Sequence, residues 1–294
     1  MNNHKKTIIT GSTGLIGSFL LGKLLSKSLD IYCLGRQDNI NSDITSINVD
    51  LSKNWATKTL PSKINNIIYL AQSEYFRDFP DKANEIFSVN TSSVLHLLEY
   101  ARKAGVTNFI YASSGGVYSP SNLALSENFP LAPEGKLGFY LSTKFCTETI
   151  LANYRPFMNI VILRFFFVYG PGQKSHMLIP RLIQKIRNSE PVTLQGKTGI
   201  KINPIFVDDA ANAIYKAMNI QKSTIINVAG PDILSISEIC EIIGSTLKIS
   251  PLYKQEKVKG NHLIADISNM KELLGSPNTH FNQGLEMTLN SLPR

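Results

Sequence analysis

The segment KTIITGSTGLIGSFLLGKLL, residues 6–25, decides the fold. Residues 6–10 read as a short strand, and 15–27 as an amphipathic helix with Leu20, Leu21, Leu24 and Leu25 on its apolar side. Between them lie Gly11, Gly14 and Gly17 in G-x-x-G-x-x-G spacing. Gly11 lets the chain turn sharply out of the strand, Gly14 lets backbone approach a pyrophosphate, and Gly17 lets the helix pack closely on the sheet. The helix N-terminus then presents unpaired N–H groups and a positive dipole end to the phosphates. A glycine triplet alone is a weak signal; the strand–turn–helix context makes it a dinucleotide-binding turn.

Outward from this unit, strand-like runs recur at 30–34 (DIYCL), 45–50 (TSINVD), 65–71 (NNIIYLA), 108–114 (NFIYASS) and 159–170 (NIVILRFFFVYG). Helical patterns separate several of them, notably 84–105, stopped by Gly105, and 138–154. Such alternation predicts parallel strands joined by right-handed crossovers, an α/β fold of the Rossmann-type, doubly wound kind. After residue 170 the texture changes to a YGPGQ loop, a helix at 177–188 and a helix at 235–247 capped by Ser235. The organisation expected is a Rossmann domain over 1–170 and a smaller C-terminal substrate-binding lobe over 171–294, partly interleaved. That lobe is expected at the carboxyl edge of the sheet, where open α/β sheets bind their ligands.

The 294 residues are 43% hydrophobic and 18% charged, the balance of a globular chain. No apolar run reaches the 18 or so residues of a membrane span, and the opening MNNHKKTIIT carries no signal-peptide core, so a cytoplasmic location away from membranes is expected. Cys33, Cys146 and Cys240 are odd in number and widely spaced, which argues for buried reduced thiols and against a disulfide framework or a metal site. The net charge of +8 favours anionic ligands, although a solvated basic surface has the same sum. The lysines are scattered without interleaved aromatics, so nucleic acid is not the expected partner.

The second strand runs into CLGRQD, where an acidic residue would grip the ribose 2′-hydroxyl of NAD. Arg36 stands there instead and can meet a 2′-phosphate, which tilts the expectation toward NADP; Asp38, two residues on, can still serve NAD. Asp50, at the end of the third strand, is placed to accept a hydrogen bond from an adenine amino group.

Tyr140 and Lys144 form a Y-x-x-x-K pair, and residues four apart share a helix face. A neighbouring ammonium is expected to favour the phenolate and lower the tyrosine pKa. Tyr140 can then exchange a proton with a substrate hydroxyl while hydride moves at the same carbon, and Lys144 can hold the nicotinamide ribose. Ser114, at the end of the fifth strand, can hydrogen-bond the same substrate oxygen; Ser113 is the neighbouring candidate.

With those residues stand IIYLAQ (67–72), the Asn90 region, SSGGVYS (113–119), LRFFFVYGPGQ (163–173), NPIFVDDAANAI (203–214) and NVAGPDILSISEI (227–239), in order. Together they resemble the NAD-dependent epimerase/dehydratase family of extended short-chain dehydrogenases/reductases, over about residues 5–290. The resemblance implies a nucleotide-sugar enzyme with Ser114, Tyr140 and Lys144 as catalytic triad. It implies a dinucleotide held by Gly11, Ser12, Thr13, Gly14, Leu15, Ile16 and Gly17, with Asp50, Leu51, Leu70, Ala71 and Phe167. It further implies a nucleotide-diphosphate sugar bound by the smaller lobe through LIPRLI (178–183) and the stretch 201–206, and a homodimer pairing through helices 84–105 and 138–154.

The chain also departs from family patterns. The 4,6-dehydratases carry Thr-Asp-Glu where this chain has Ser114, Gly115 and Gly116, so no acid/base pair for dehydration is present. The GDP-fucose synthases carry a cysteine where Gly116 stands, while His176 resembles a histidine of theirs or is an ordinary loop residue. A phenylalanine replaces the asparagine of the family's RYFN, and Lys201 with Ile202 stands where an arginine is common, leaving Lys201, Lys257 or Lys259 to meet phosphate. Asp208 and Asp209 can be helix caps. The readings left are a sugar-nucleotide 4-epimerase or 4-ketoreductase, with a reductase of a non-sugar ketone and a non-catalytic dinucleotide-binding relative as alternatives.

Overall fold

The computed structural model describes residues 5–27, 29–36, 42–133, 135–258 and 260–291. Asp38 and Lys259 lie outside them. The chain divides into two compact units, the first comprising Met1–Val117, Leu131–Arg164 and Ala211–Ile226, the second Tyr118–Pro130, Phe165–Ala210 and Asn227–Arg294. Where the sequence suggests one interleaved boundary at 170, the chain passes between the units five times, at 117/118, 130/131, 164/165, 210/211 and 226/227.

The first unit is built on strands β1 (Lys5–Thr10), β2 (Leu29–Gly35), β3 (Ile44–Asn48), β4 (Asn66–Tyr69), β5 (Asn108–Ser114) and β6 (Asn159–Phe165). Its helices include α1 (Leu15–Leu25), α2 (Ala83–Phe87), α3 (Ser93–Ala104) and α4 (Gly138–Ala152). With a later strand, Thr224–Val228, these make a seven-stranded sheet in which that strand is followed by β6-β5-β4-β1-β2-β3. The pairs β1–β2, β2–β3, β1–β4 and β4–β5 are parallel. The chain winds outward from β1 through β2 to β3, then returns to lay β4 on the other side of β1. The order therefore reverses between β1 and β4, the switch point where doubly wound sheets open a crevice at their carboxyl ends.

The register fixes what meets there. Thr10 is opposite Tyr69, and Tyr69 is opposite Tyr111, so the residues leaving β1, β4 and β5 emerge at one edge. All four residues of β4 are buried, as expected of a central strand covered on both faces. Ile8, Ile67, Phe109 and Ile160 pack with Leu97 and Leu98 of α3 in the core, all fully buried. Burying such side chains is worth about 1.5–3 kcal/mol each.

Helical reading of 84–105 is correct but incomplete. Between α2 and α3 the chain makes a π-helical turn at Ser88–Ser92, with Asn90 fully buried. The extra residue frees the Asn90 carbonyl for the Thr147 hydroxyl, at 2.9 Å, and the Asn90 side chain for Ser73 and Thr143. The strand read over 159–170 ends at Phe165, because Phe167 adopts φ 44°, left-handed backbone that no strand accommodates. Cys33 and Cys240 are buried, but Cys146 is exposed on α4, correcting the expectation of three buried thiols; position 146 falls on the solvent side of the helix.

The second unit carries three small pairings. After β7 (Val168–Tyr169), α5 (Leu178–Arg187), β8 (Val192–Gln195), β9 (Lys201–Ile202) and β10 (Ile205–Phe206) comes α6 (Val207–Ala217), which runs into the first unit. The chain continues through β11 (Thr224–Val228), β12 (Leu234–Ser235), α7 (Ile236–Leu247), β13 (Tyr253–Glu256), α8 (Ser268–Leu274) and α9 (Phe281–Asn290). Strands β7–β10 and β8–β13 pair in parallel, and β9–β12 antiparallel. α5 buries Ile179, Leu182, Ile183 and Ile186, one stripe at helical spacing. Ser235 starts α7 with a capping box: its hydroxyl accepts from the Glu238 N–H, and the Glu238 carboxylate accepts from the Ser235 N–H. Asp208 and Asp209 lie inside the first turn of α6. Asp209 instead accepts the backbone N–H groups of Asn278 and Thr279, so it holds a distant loop.

No helix among the described residues is long and apolar enough to cross a membrane.

Candidate active site

The turn after β1 has the tight geometry its glycines require. Gly11 takes φ 69°, and a Cβ there would stand 2.7 Å from the Ala71 backbone nitrogen. A Cβ at Gly17 would reach 2.1 Å from the Gly11 carbonyl oxygen, so only glycine lets α1 start this close to β1. Gly14 is the N-cap of α1; no side chain caps the helix, and its first turn carries no acid. The orphan N–H groups and positive helix end are therefore left for an anion, which fits a dinucleotide diphosphate. Ser12 is buried, Thr13 and Gly14 are exposed, and Leu15 and Ile16 are half-buried. Leu70 and Ala71 follow β4 directly beside this turn, donating to the Thr10 carbonyl at 3.2 Å and the Thr10 hydroxyl at 3.2 Å.

Two residues read as cofactor contacts carry partners that sequence did not disclose. Asp50 accepts from the Ser52 hydroxyl at 2.7 Å and the Ser52 N–H at 3.0 Å, and lies 3.4 Å from Lys53; these contacts hold its carboxyl below its ordinary pKa. Leu51 beside it is buried. Arg36 donates to Glu74 at 3.0 Å, an ion pair whose side chains are 65% and 42% exposed. The guanidinium is thus already neutralised by a carboxylate that follows β4, which weakens the argument for a 2′-phosphate.

Tyr140 and Lys144 lie on one face of α4. The Tyr140 hydroxyl donates to the Gln72 side-chain oxygen at 3.1 Å, and its ring packs 5.3 Å from that of Phe76. Lys144 is 3% exposed; its ammonium donates to the Ala112 carbonyl at 2.9 Å, 5.0 Å from the Tyr111 ring centre and 6.0 Å from that of Tyr140. Burial pulls Lys144 down to about 8, opposed by the Glu148 carboxylate. Burial pushes Tyr140 up, so the expected lowering by Lys144 does not occur here: the ammonium is turned to Ala112 and the phenol stays protonated. One of the three ammonium protons is used, leaving two for a ribose.

The two serines of β5 separate cleanly. Ser113 is 5% exposed and donates to Glu148 at 2.5 Å, so its hydroxyl is engaged inside the unit. Ser114, on the opposite pleat, accepts from the Gly116 N–H at 3.2 Å, and its own proton remains available to a substrate oxygen. Gly115 and Gly116 continue in a tight turn, and a Cβ at 116 would meet Leu141 at 2.9 Å.

Sequence reasoning missed Gln72, Glu148 and the role of Arg164. Arg164 donates to Glu148 through Nε at 3.1 Å and through Nη2 at 2.6 Å, with both side chains almost fully buried. A charged residue inside an otherwise apolar strand was the available signal.

In the second unit, Lys201 is exposed on β9, where its backbone N–H donates to His262 at 3.1 Å. His176 and Lys257 are exposed, and Phe167 is half-buried.

Residues 7–229 match the NAD dependent epimerase/dehydratase family. The chain belongs to this family. It is 28% identical to a UDP-glucuronate 4-epimerase of Thermodesulfobacterium geofontis, over 82% of this chain and 77% of that one. It is 25% identical to UDP-glucuronic acid decarboxylase 1 of Xenopus tropicalis, over 98% of this chain and 72% of that one. The UDP-glucuronic acid 4-epimerase of Bacillus cereus, solved with UDP-glucuronic acid and NAD, superposes with a TM-score of 0.84 at 26% identity, over 97% of this chain and 98% of that one. The resemblance seen in the sequence is thereby borne out, as is the α/β fold with its doubly wound sheet.

Proposed function

We propose that this member of the family is an NAD-dependent 4-epimerase of a UDP-sugar. The observation that carries the reading is the pairing of a protonated Tyr140 with a buried Lys144 on α4, beside a β5 terminus whose Ser114 is followed by two glycines. That arrangement supplies one proton-exchanging group and one hydrogen-bond donor, and no second acid/base pair for elimination. The similar B. cereus epimerase, solved with its sugar nucleotide and NAD, supports the substrate class and the cofactor.

Bound NAD would supply a hydride acceptor at the sugar carbon and the hydride for its return. Ser114 donates a hydrogen bond to the C4 oxygen. Tyr140 first gives its own proton to water, then as phenolate takes the proton of the C4 hydroxyl and later returns it, so it must pass between phenol and phenolate. Lys144, as an ammonium, holds the ribose and stabilises negative charge on the phenol oxygen. Gln72 holds the phenol meanwhile and is displaced when a substrate hydroxyl arrives. The turn 11–17 with Leu70 and Ala71 carries the diphosphate and adenosine side, and Asp50 the adenine. NAD in preference to NADP follows from the Glu74 carboxylate beside Arg36, which would repel a 2′-phosphate. Lys201 and His176 are assigned to the sugar nucleotide, and a homodimer through α3 and α4 is supported by the exposed Leu95 on α3.

Denaturing freshly purified protein and identifying the released dinucleotide tests the reading. Near-stoichiometric NAD(H), with conversion of UDP-glucose or UDP-glucuronic acid to its C4 epimer, is expected. An empty protein that binds NADPH more tightly than NADH and consumes it with a 4-keto sugar nucleotide would replace the epimerase with a ketoreductase.

A further inference from the structure

Behind Lys144 lies a charged cluster that the proposed chemistry leaves unused. Tyr140, Lys144 and Glu148 follow one another at four-residue intervals, so Glu148 stands one helical turn beyond the ammonium on the same face of α4. Its carboxylate is 5% exposed and fully engaged: Oε1 accepts from the Ser113 hydroxyl on β5 and from Arg164 Nε on β6, and Oε2 accepts from Arg164 Nη2. Three elements thus converge to fix one buried carboxylate. An isolated charge at such a place is costly, and even a paired one gains little stability over apolar packing. Its position one turn from a buried amine gives it a use.

We propose that Glu148 is a positioning residue of the candidate site, held by Arg164 and Ser113 so that its carboxylate keeps Lys144 charged for its contact with the dinucleotide. The inference rests on the assignment of Lys144 to the NAD ribose. The titratable and charged groups around the ammonium are few. From α4 itself come Tyr140 and Glu148, from β5 Tyr111 with the Ala112 carbonyl, and from β6 Arg164, paired to Glu148. Tyr111 and Tyr140 are both pushed up by burial and stay neutral, so Glu148 supplies the negative charge in this set. Burial depresses Lys144, and Glu148 is the group that opposes the depression.

The test is the pH dependence of NAD⁺ affinity, measured by calorimetry between pH 6 and 10 on the full chain freed of nucleotide. In the unaltered protein, affinity should fall as Lys144 loses its proton. Glu148→Gln should move that midpoint down by about one pH unit, the scale of a nearby opposite charge. Glu148→Asp, which keeps the carboxylate, should restore most of it. Because Glu148→Gln strands a buried guanidinium, the double variant Glu148→Gln/Arg164→Gln serves as the folding control, with a smaller downward shift expected because a cation leaves together with the carboxylate. A midpoint unchanged in a folded variant lacking the carboxylate would overturn this role for Glu148 and leave the epimerase reading intact. An unaltered protein that binds no NAD⁺ at any pH would overturn that reading itself, and this inference with it.

Discussion

Two arginine–glutamate pairs flank the candidate site, and they differ in almost everything but composition. Arg164–Glu148 is buried, with side-chain exposures of 3% and 5%, and a Ser113 hydroxyl completes it. Arg36–Glu74 is an open pair at 65% and 42% exposure, made by one guanidinium nitrogen. Water screens the second and is excluded from the first. The buried pair is therefore a structural commitment, whereas the open pair is a cheap contact that a ligand can rearrange. The contrast shows why Arg36 is a poor guide to the cofactor: an exposed arginine is defined by its partner, and the partner is acidic.

The largest effect should come from the chemistry that the buried side supports. Tyr140→Phe removes the proton-exchanging group and should lower kcat by about 10³-fold while leaving NAD⁺ affinity nearly unchanged. Steady-state rates on a UDP-sugar with calorimetric NAD⁺ binding check this; near-normal turnover would remove Tyr140 from the reaction.

Next comes the stability of the buried pair. Arg164→Met leaves Glu148 without its main partner and should cost about 3–5 kcal/mol in chemical unfolding, against about 0–1 kcal/mol for Arg36→Met at the rim. Equal losses would erase the distinction between the two pairs.

A third prediction concerns pH. Lys144 is held near 8 in the folded chain against an ordinary 10.5. Between those values the unfolded chain keeps a proton that the folded chain has released, so this residue's contribution to stability rises with pH across that window. Subtracting the Lys144→Met stability curve from that of the unaltered protein should reveal the rise. A difference that is flat from pH 8 to 10.5 would show that Lys144 titrates as an ordinary lysine.

The smallest effect lies at the rim. Glu74→Gln frees Arg36 and should improve NADPH binding relative to NADH by several-fold with little change in stability, whereas Arg36→Asp should act in the opposite sense. Identical ratios in all three proteins would separate Arg36 from cofactor choice altogether.

What the sequence disclosed follows from distance along the chain. The glycine turn and the Tyr140–Lys144 pair are local patterns, complete within seven and five residues, and spacing alone determines their geometry. The sheet was legible for the same reason, since its strands are apolar runs. The partners that tune the site were not legible. Gln72 meets Tyr140 across 68 residues, Glu74 meets Arg36 across 38, and Ser113 meets Glu148 across 35. Which of two adjacent serines faces the substrate depends on the pleat at the end of β5, which the sequence does not state. The π turn at Asn90 was hidden because a helix with one extra residue keeps nearly the same apolar stripe. Arg164 was the most accessible clue, a lone charge in a core strand that demands a buried acid somewhere else in the fold.

The central claim, reversible oxidation at the sugar C4 with Tyr140 exchanging the proton, is tested most directly by following a UDP-sugar deuterated at C4. Incubated with the protein without added nucleotide, the substrate should convert to its C4 epimer, and the deuterium should remain at C4 in the product. Loss of the label to a released dinucleotide, or a substrate returned unchanged from protein that holds NAD, would contradict the account.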